Sequence, residues 1–187
     1  MQPAAQPEPN RVPLPFPAAA SLAAESVLGL YDAHQRELYS FLLATTRDSA
    51  AAEDLLQESF LRLLRETRAD RMPLNGRAWL YRVAANLALS RGRHLRAAVR
   101  WQLRQSNDGT SASPEDESMR REQNEQLVNG LGDLPDAARV GLVMAAHGFT
   151  GVEIAVALGR SESATRSLLC RSRLRLRELL AEKEVSR

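Results

Sequence analysis

Apolar positions along this chain recur at three- and four-residue steps, and no stretch alternates as a half-buried strand would. In SLAAESVLGLYDAHQRELYSFLLATT, Leu28, Tyr31, Leu38, Phe41 and Leu42 fall at near-helical spacing and predict a first long helix. RDSA breaks the pattern and offers Asp48 or Ser49 as an N-cap. AAAEDLLQESFLRLLRE resumes it, with Leu56, Phe60, Leu63 and Leu64 on one face. TRADRMPLNG is a loop carrying Pro73 and Gly76, and Asn75 can cap a third long helix, RAWLYRVAANLALSRGRHLRAAVRW. The inner face of that helix is expected at Leu80, Val83, Ala84 and Leu87.

QSNDGTSASPEDES has the composition of a linker, and Ser113-Pro114 then reads as a helix start, since proline is tolerated at the first helical position. The helical pattern continues to about Glu184. Within it, Thr150-x-x-Glu153 is a capping box that opens a short helix, Gly151–Leu158, with Ile154, Ala155 and Leu158 facing inward. Gly159 closes that helix, and Ser161 caps the next from about Glu162. Two helices joined by so short a bend have the spacing of a helix-turn-helix, whose second helix places its N-terminal residues against base edges. Those residues are Ser161, Glu162, Ser163, Thr165, Arg166 and Ser167. Arg171, Arg173 and Arg175 follow and suit phosphate contacts. Arg160 and Thr165 stand where such motifs usually carry apolar residues, which predicts either a weaker motif or two side chains turned toward DNA. The competing structural reading is an ordinary helical hairpin.

Charge sharpens this picture. The net charge is only +2, but Arg71 to Arg104 holds eight arginines and no acid, and Ser163 to Arg177 holds five and no acid. Between them, Asp108 to Glu125 carries six acids against two arginines. Two cationic helical stretches with an acidic stretch between them fit contact with nucleic acid at two places. On the second helix, Asp54, Gln57, Glu58, Leu61 and Arg65 form an exposed face suited to a basic helical partner, unless it is simply solvated. On the third, Arg82, Asn86, Ser90 and Arg93 form a stripe, and Trp79 and Tyr81 could stack on unpaired bases.

Several classes find no support. The single Cys170 precludes an internal disulfide, and His34, His94 and His147 are too scattered for a metal cluster. No run is long and apolar enough to span a membrane, and the N-terminus has no secretory-signal pattern. No nucleophile–base set or phosphate loop suggests an enzyme, a cofactor or a small-molecule substrate. The expected organisation is all-α. Residues 1–20 are a Pro-rich tail without the apolar content to pack, followed by a helical domain at 21–104. A flexible acidic linker spans 105–113, and a second helical domain spans 114–187.

AAEDLLQESFLRLLR, GRAWLYRVAANLALSRGR and LPDAARVGLVMAAHGFTGVEIAVALGRSESATRSLLCRSRLRLREL, in that order, resemble the extracytoplasmic-function (ECF) group of the sigma-70 family of RNA polymerase sigma factors. The resemblance runs from about Leu28 to Leu180 and implies two modules, a region 2-like bundle and a region 4-like helix-turn-helix. It implies a cytoplasmic factor that directs core RNA polymerase to promoters and is itself no enzyme. Asp54, Gln57, Glu58 and Leu61 would dock on the beta-prime clamp helices. Arg68, Asn75, Arg77, Trp79, Arg82, Asn86, Ser90 and Arg93 would melt and read the minus-ten element. Ser161, Glu162, Ser163, Thr165, Arg166, Ser167, Arg171 and Arg173 would serve the minus-thirty-five element, beside the beta flap. The acidic linker would pass near the RNA exit path, and an anti-sigma partner is implied. Ser90 and Ser163-Ala164 depart from residues common in the group, which bears on promoter sequence. The alternative of another class is a dimeric helix-turn-helix repressor that needs no polymerase, which would leave the Asp54–Leu61 face unexplained.

Overall fold

The computed structural model describes residues 18–103 and 130–185, with side chains described for 26–97 and 130–181. The expected tail, the linker and the helix start at Pro114 lie outside these residues. Among the described residues, residues 130–132 are helical, and six further helices have defined bounds: α1 (Ala18–Thr46), α2 (Ser49–Arg68), α3 (Gly76–Leu103), α4 (Asp136–Ala146), α5 (Gly151–Leu158) and α6 (Glu162–Val185). Among the described residues there is no strand.

The first module packs α1, α2 and α3 around Leu38, Phe41, Leu42, Leu63, Leu80 and Tyr81, each fully buried. Leu56, Phe60, Leu63 and Leu64 face this core as the spacing predicts. On α1, Leu38, Phe41 and Leu42 are buried as predicted, but the two earlier positions are not: Leu28 and Tyr31 are 59% and 37% exposed, while Val27 is buried and Leu30 packs at the core edge. The inward stripe therefore runs Val27, Leu30, Leu38, Phe41 and Leu42, one residue earlier than predicted at its first two positions only. A close approach fixes this end of the helix: a Cβ on Gly76 would sit 2.6 Å from a Leu30 methyl. On α3, Leu80 and Ala84 are buried as expected, whereas Val83 and Leu87 are half-buried. Ala85, Ala88 and Tyr81 complete the inner face, so Tyr81 is not available to stack on a base.

Small backbone devices begin and end the helices. Asp48 is the N-cap of α2, its Oδ1 accepting from the Ala51 amide at 3.1 Å. Asn75 caps α3 through a 2.9 Å bond from the Ala78 amide. Buried hydroxyls bond backward along their own helices, Thr45 to the Phe41 carbonyl at 2.9 Å and Ser59 to Leu55 at 2.7 Å.

The second module, α4–α6, is built on Val140, Met144, Ile154, Ala155, Ala157 and Leu169. It does not stand apart from the first. α3 packs against α4 and α5, α1 packs against α4, and the buried apolar residues of both modules form one connected cluster.

Candidate nucleic-acid interface

The bend between α5 and α6 has the local chemistry its sequence requires. Thr150 Oγ1 accepts from the Glu153 amide at 3.3 Å, and Glu153 Oε2 accepts from the Thr150 amide at 2.8 Å. The Thr150 amide and the Thr150 hydroxyl, both donating to Glu153 Oε2 at 2.8 Å, hold the Glu153 carboxyl below the usual carboxylate range. Gly159 ends α5 in the left-handed conformation, φ 62° and ψ 40°, which a side chain would strain. Ser161 Oγ then accepts from the Ala164 amide at 3.3 Å and starts α6.

Along α6, Glu162, Ser163, Arg166, Ser167, Arg171, Arg173 and Arg175 are all exposed, as is Arg160 in the turn. Glu162, Arg166 and Arg173 share one side of the helix and, with Gly151 and Val152, line a hollow of about 230 Å³ between α5 and α6. Thr165 is the exception among the residues expected to face DNA. It is fully buried, and its hydroxyl has no hydrogen-bond partner. It occupies the core position of the motif, three residues after Glu162 on the inward side, and cannot reach a base edge there.

On α3, Asn75, Trp79, Arg82, Asn86, Ser90 and Arg93 follow one another at steps of three and four and share one side of the helix. Arg82, Asn86 and Arg93 are exposed; Trp79 and Ser90 are half-buried. Arg68 is exposed at the end of α2, across the loop from Asn75. Arg77 is not on this stripe. At about 100° per residue it lies about 200° around the helix from Asn75, and its side chain enters the seam between the modules. There its Nη2 donates to the His147 carbonyl at 2.7 Å, and its guanidinium lies 4.5 Å from the centre of the Phe149 ring.

The exposed face of α2 is as expected. Asp54, Gln57 and Leu61 are exposed, Leu61 by 47%, and Glu58 is half-buried. Arg62 at 2.8 Å and Arg65 at 3.4 Å lower the Glu58 carboxyl below its ordinary value and hold it ionised. The face is thus a short acidic strip around one exposed leucine. Among the described residues no group of His, Cys, Asp and Glu could hold a metal, and no helix is long and apolar enough to cross a membrane.

Residues 30–100 match the family model for sigma-70 region 2. RNA polymerase sigma factor CarQ of Myxococcus xanthus is 32% identical over 83% of this chain and 90% of its own length. The chain belongs to the ECF sigma factors of the sigma-70 family. ECF RNA polymerase sigma factor SigL of Mycobacterium tuberculosis is 30% identical over 90% of this chain and 97% of its own length. The fold agrees. The sigma factor RpoE of Bartonella quintana, solved in complex with the anti-sigma factor NepR, superposes with a TM-score of 0.66 at 21% identity, over 84% of this chain and 98% of that one. CnrH, solved with the cytosolic domain of CnrY, gives 0.62 at 23% identity, over 88% of this chain and 96% of that one.

As a sigma factor the chain acts in promoter-specific transcription initiation. Sequence reasoning missed one grouping: His147, noted only as too scattered for a metal cluster, and Phe149, both at the α4–α5 corner, meet Arg77 and Tyr81. Seventy residues separate Arg77 from His147, and no local pattern links them.

Proposed function

We propose that this sigma factor docks on core RNA polymerase through Asp54, Gln57, Glu58 and Leu61 and reads promoters with two separate surfaces. The α2 face presents the exposed Asp54 side chain and the ionised Glu58 beside an exposed leucine, a chemistry that suits the beta-prime clamp helices. The α3 stripe, with Arg68, Asn75, Trp79, Arg82, Asn86, Ser90 and Arg93, contacts the minus-ten element. Trp79 offers a ring for an unstacked base, and Asn86 and the arginines donate to bases and phosphates. Arg77 joins them once it leaves its partners in the seam.

The α6 surface reads the minus-thirty-five element, with Glu162, Ser163, Arg166 and Ser167 toward base edges and Arg171 and Arg173 toward phosphates. Arg160 is placed to add a phosphate contact from the turn. The second module also meets the beta flap. Binding at each surface alone is weak, and tethering both to one docked factor raises their effective concentration. The factor works in the cytoplasm, supplies no catalytic group and uses no cofactor. An anti-sigma protein restrains it, by analogy with the anti-sigma factor NepR bound to RpoE.

The observation that carries this reading is the pairing of two acid-free arginine runs, 71–104 on α3 and 163–177 on α6, both with exposed basic residues, with the Asp54–Leu61 face on α2. Transcription in vitro with core RNA polymerase and a pool of bacterial promoter fragments tests it. Initiation from a subset of fragments only when the chain is added is the expected result. Duplex binding without association with the core enzyme would replace it with a stand-alone regulator.

A further inference from the structure

A hollow of about 180 Å³ lies where α1, α3 and α4 meet, and none of the surfaces assigned above includes it. Its charged lining is Arg91, Arg96, Asp136 and Arg139, and Thr45 and Thr46 close the α1 side. Arg91 and Arg96 bracket a side of α3 that is turned from the promoter-reading stripe. At about 100° per residue, Gly92 between them lies roughly 260° around the helix from Asn75, and Leu95 about 200°.

The bonds within the hollow leave its cations short of partners. Both oxygens of Asp136 are already taken, Oδ1 by Arg139 Nη2 at 2.8 Å and Oδ2 by Arg96 Nη2 at 2.7 Å. A Cβ on Gly92 would collide with this carboxylate, so glycine is what lets it come between the arginines. Arg91 Nη2 stands 3.0 Å from Asp48 Oδ2 at the rim, where both side chains meet solvent. Arg139 forms the floor, its side chain only 13% exposed. Its Nη1 donates to the Gly132 carbonyl at 3.3 Å, and its Nε is enclosed with no hydrogen-bond partner. Burial lowers the Arg139 pKa from the ordinary arginine value, and the Arg47 and Arg96 charges act the same way against that of Asp136. The Thr45 and Thr46 hydroxyls donate to carbonyls of their own helix at 2.9 and 2.8 Å and supply no donor to the hollow.

Three guanidinium groups against one carboxylate leave the lining with two positive charges in excess. Asp48 at the rim offsets part of the Arg91 charge. The remainder is held in a half-enclosed space, where like charges are screened less than on open surface. A phosphate or diphosphate group carries the missing charge and the missing acceptors, and its oxygens match the planar donor fork of arginine. The concave shape, walled by three helices, suits a group at the end of a small molecule. The phosphates of a duplex follow a convex rod and fit it poorly.

We propose that this hollow binds a phosphate group of a small soluble compound, held by Arg91 and Arg96 above Arg139. Because the lining comes from three helices, the bound anion favours the folded chain over the unfolded one. The site is separate from the promoter-reading stripe and from the α6 surface, so occupancy and promoter contact are able to coexist.

Calorimetric titration of the full chain with inorganic pyrophosphate, at an ionic strength fixed with sodium chloride, tests this. Saturable binding is expected in the wild type, and the melting temperature should rise with pyrophosphate and then level off. Arg91→Gln should weaken binding several-fold. Asp136→Asn removes the competing carboxylate and should tighten binding several-fold, and Arg91→Gln covers the case in which that variant does not fold. Arg36→Gln, an equal charge change at an exposed place on α1, should leave the affinity unaltered. Absence of saturable binding in the wild type overturns the proposal. Equal weakening by Arg36→Gln and Arg91→Gln also overturns it, since the anion would then respond to net charge alone. Unchanged or weaker binding in a folded Asp136→Asn chain overturns the assigned geometry. Displacement of pyrophosphate by a short duplex would give the arginines to DNA and overturn the small-ligand assignment. The titration needs neither polymerase nor promoter, so its failure leaves the sigma reading standing.

Discussion

The two candidate DNA surfaces differ in what surrounds them. On α6 every basic residue of the recognition surface is exposed, and the helix is braced from behind by α5. On α3 the tail of the stripe is open, but its head faces α5 across the 310 Å³ cleft, and Arg77 is turned into the seam. One surface is open along its length, and the other is partly covered by the second module.

The largest effect should come from removing the platform that carries both. Reversing Asp54 and Glu58 to Arg puts like charge against a basic partner, and the cost to core-polymerase binding should be on the order of several kcal/mol. Co-migration with core enzyme checks it; Asp54 is exposed, and since Glu58 is half-buried and paired with Arg62 and Arg65, far-UV circular dichroism and melting confirm that the double variant remains folded. Unchanged association would mean that docking lies elsewhere and that the contrast between the surfaces has no bearing on the polymerase.

The contrast itself is tested by a pair of substitutions. Arg166→Ala should weaken duplex binding by about 1–3 kcal/mol if it makes a bidentate base contact, and it should do so in the free protein. Trp79→Ala should leave free duplex binding unaffected and lower open-complex formation only with core enzyme present. Filter binding and permanganate footprinting separate the two. An equal loss at both stages for both variants would erase the distinction.

Thr165 offers a smaller effect of opposite sign. Its buried hydroxyl has no partner, and Val has the same branched shape without the polar group. Thr165→Val should stabilise the second module by about 1–2 kcal/mol, the usual penalty for an unpaired buried polar group. Thermal melting checks this, with minus-thirty-five binding unaltered because the side chain faces inward.

The smallest effect is that of pH on the seam. His147 meets Tyr81, Arg77 and Glu37, and burial, reinforced by the Arg77 charge and opposed by Glu37, lowers its pKa from the ordinary value. Tyr81, pushed up to about 12 by burial and the Glu37 charge, stays neutral throughout. The folded arrangement thus favours neutral imidazole, and the unfolded chain binds the proton more readily. This contribution to stability is fully present above the ordinary imidazole value of about 6.5 and weakens as pH falls below it. The melting temperature should decline from pH 7.5 to 5.5 in the wild type and stay flatter in His147→Ala.

Much of the fold was legible because its signals are local. The capping box at Thr150, the left-handed Gly159 and the Asn75 cap each follow from a few adjacent residues, and so did the stripes on α2 and α3. What was not legible depends on distant partners. Thr165 was half legible: it stands where such motifs usually carry an apolar residue, but its hydroxyl and basic surroundings left an outward orientation open, and in the structure it is buried. Leu28 and Tyr31 fit the helical period as well as Val27 and Leu30, and the approach of Gly76 to Leu30 selects the latter pair. Arg77 lies in an arginine-rich run like any other, but a two-residue offset from the stripe turns it toward His147.

The most direct test of two surfaces reading two elements is run-off transcription with core enzyme on matched promoters, each altered at one element only. The account predicts that Arg166→Ala loses discrimination at the minus-thirty-five element alone and Asn86→Ala at the minus-ten element alone. Loss of discrimination at the same element by both variants, or by neither, would contradict it.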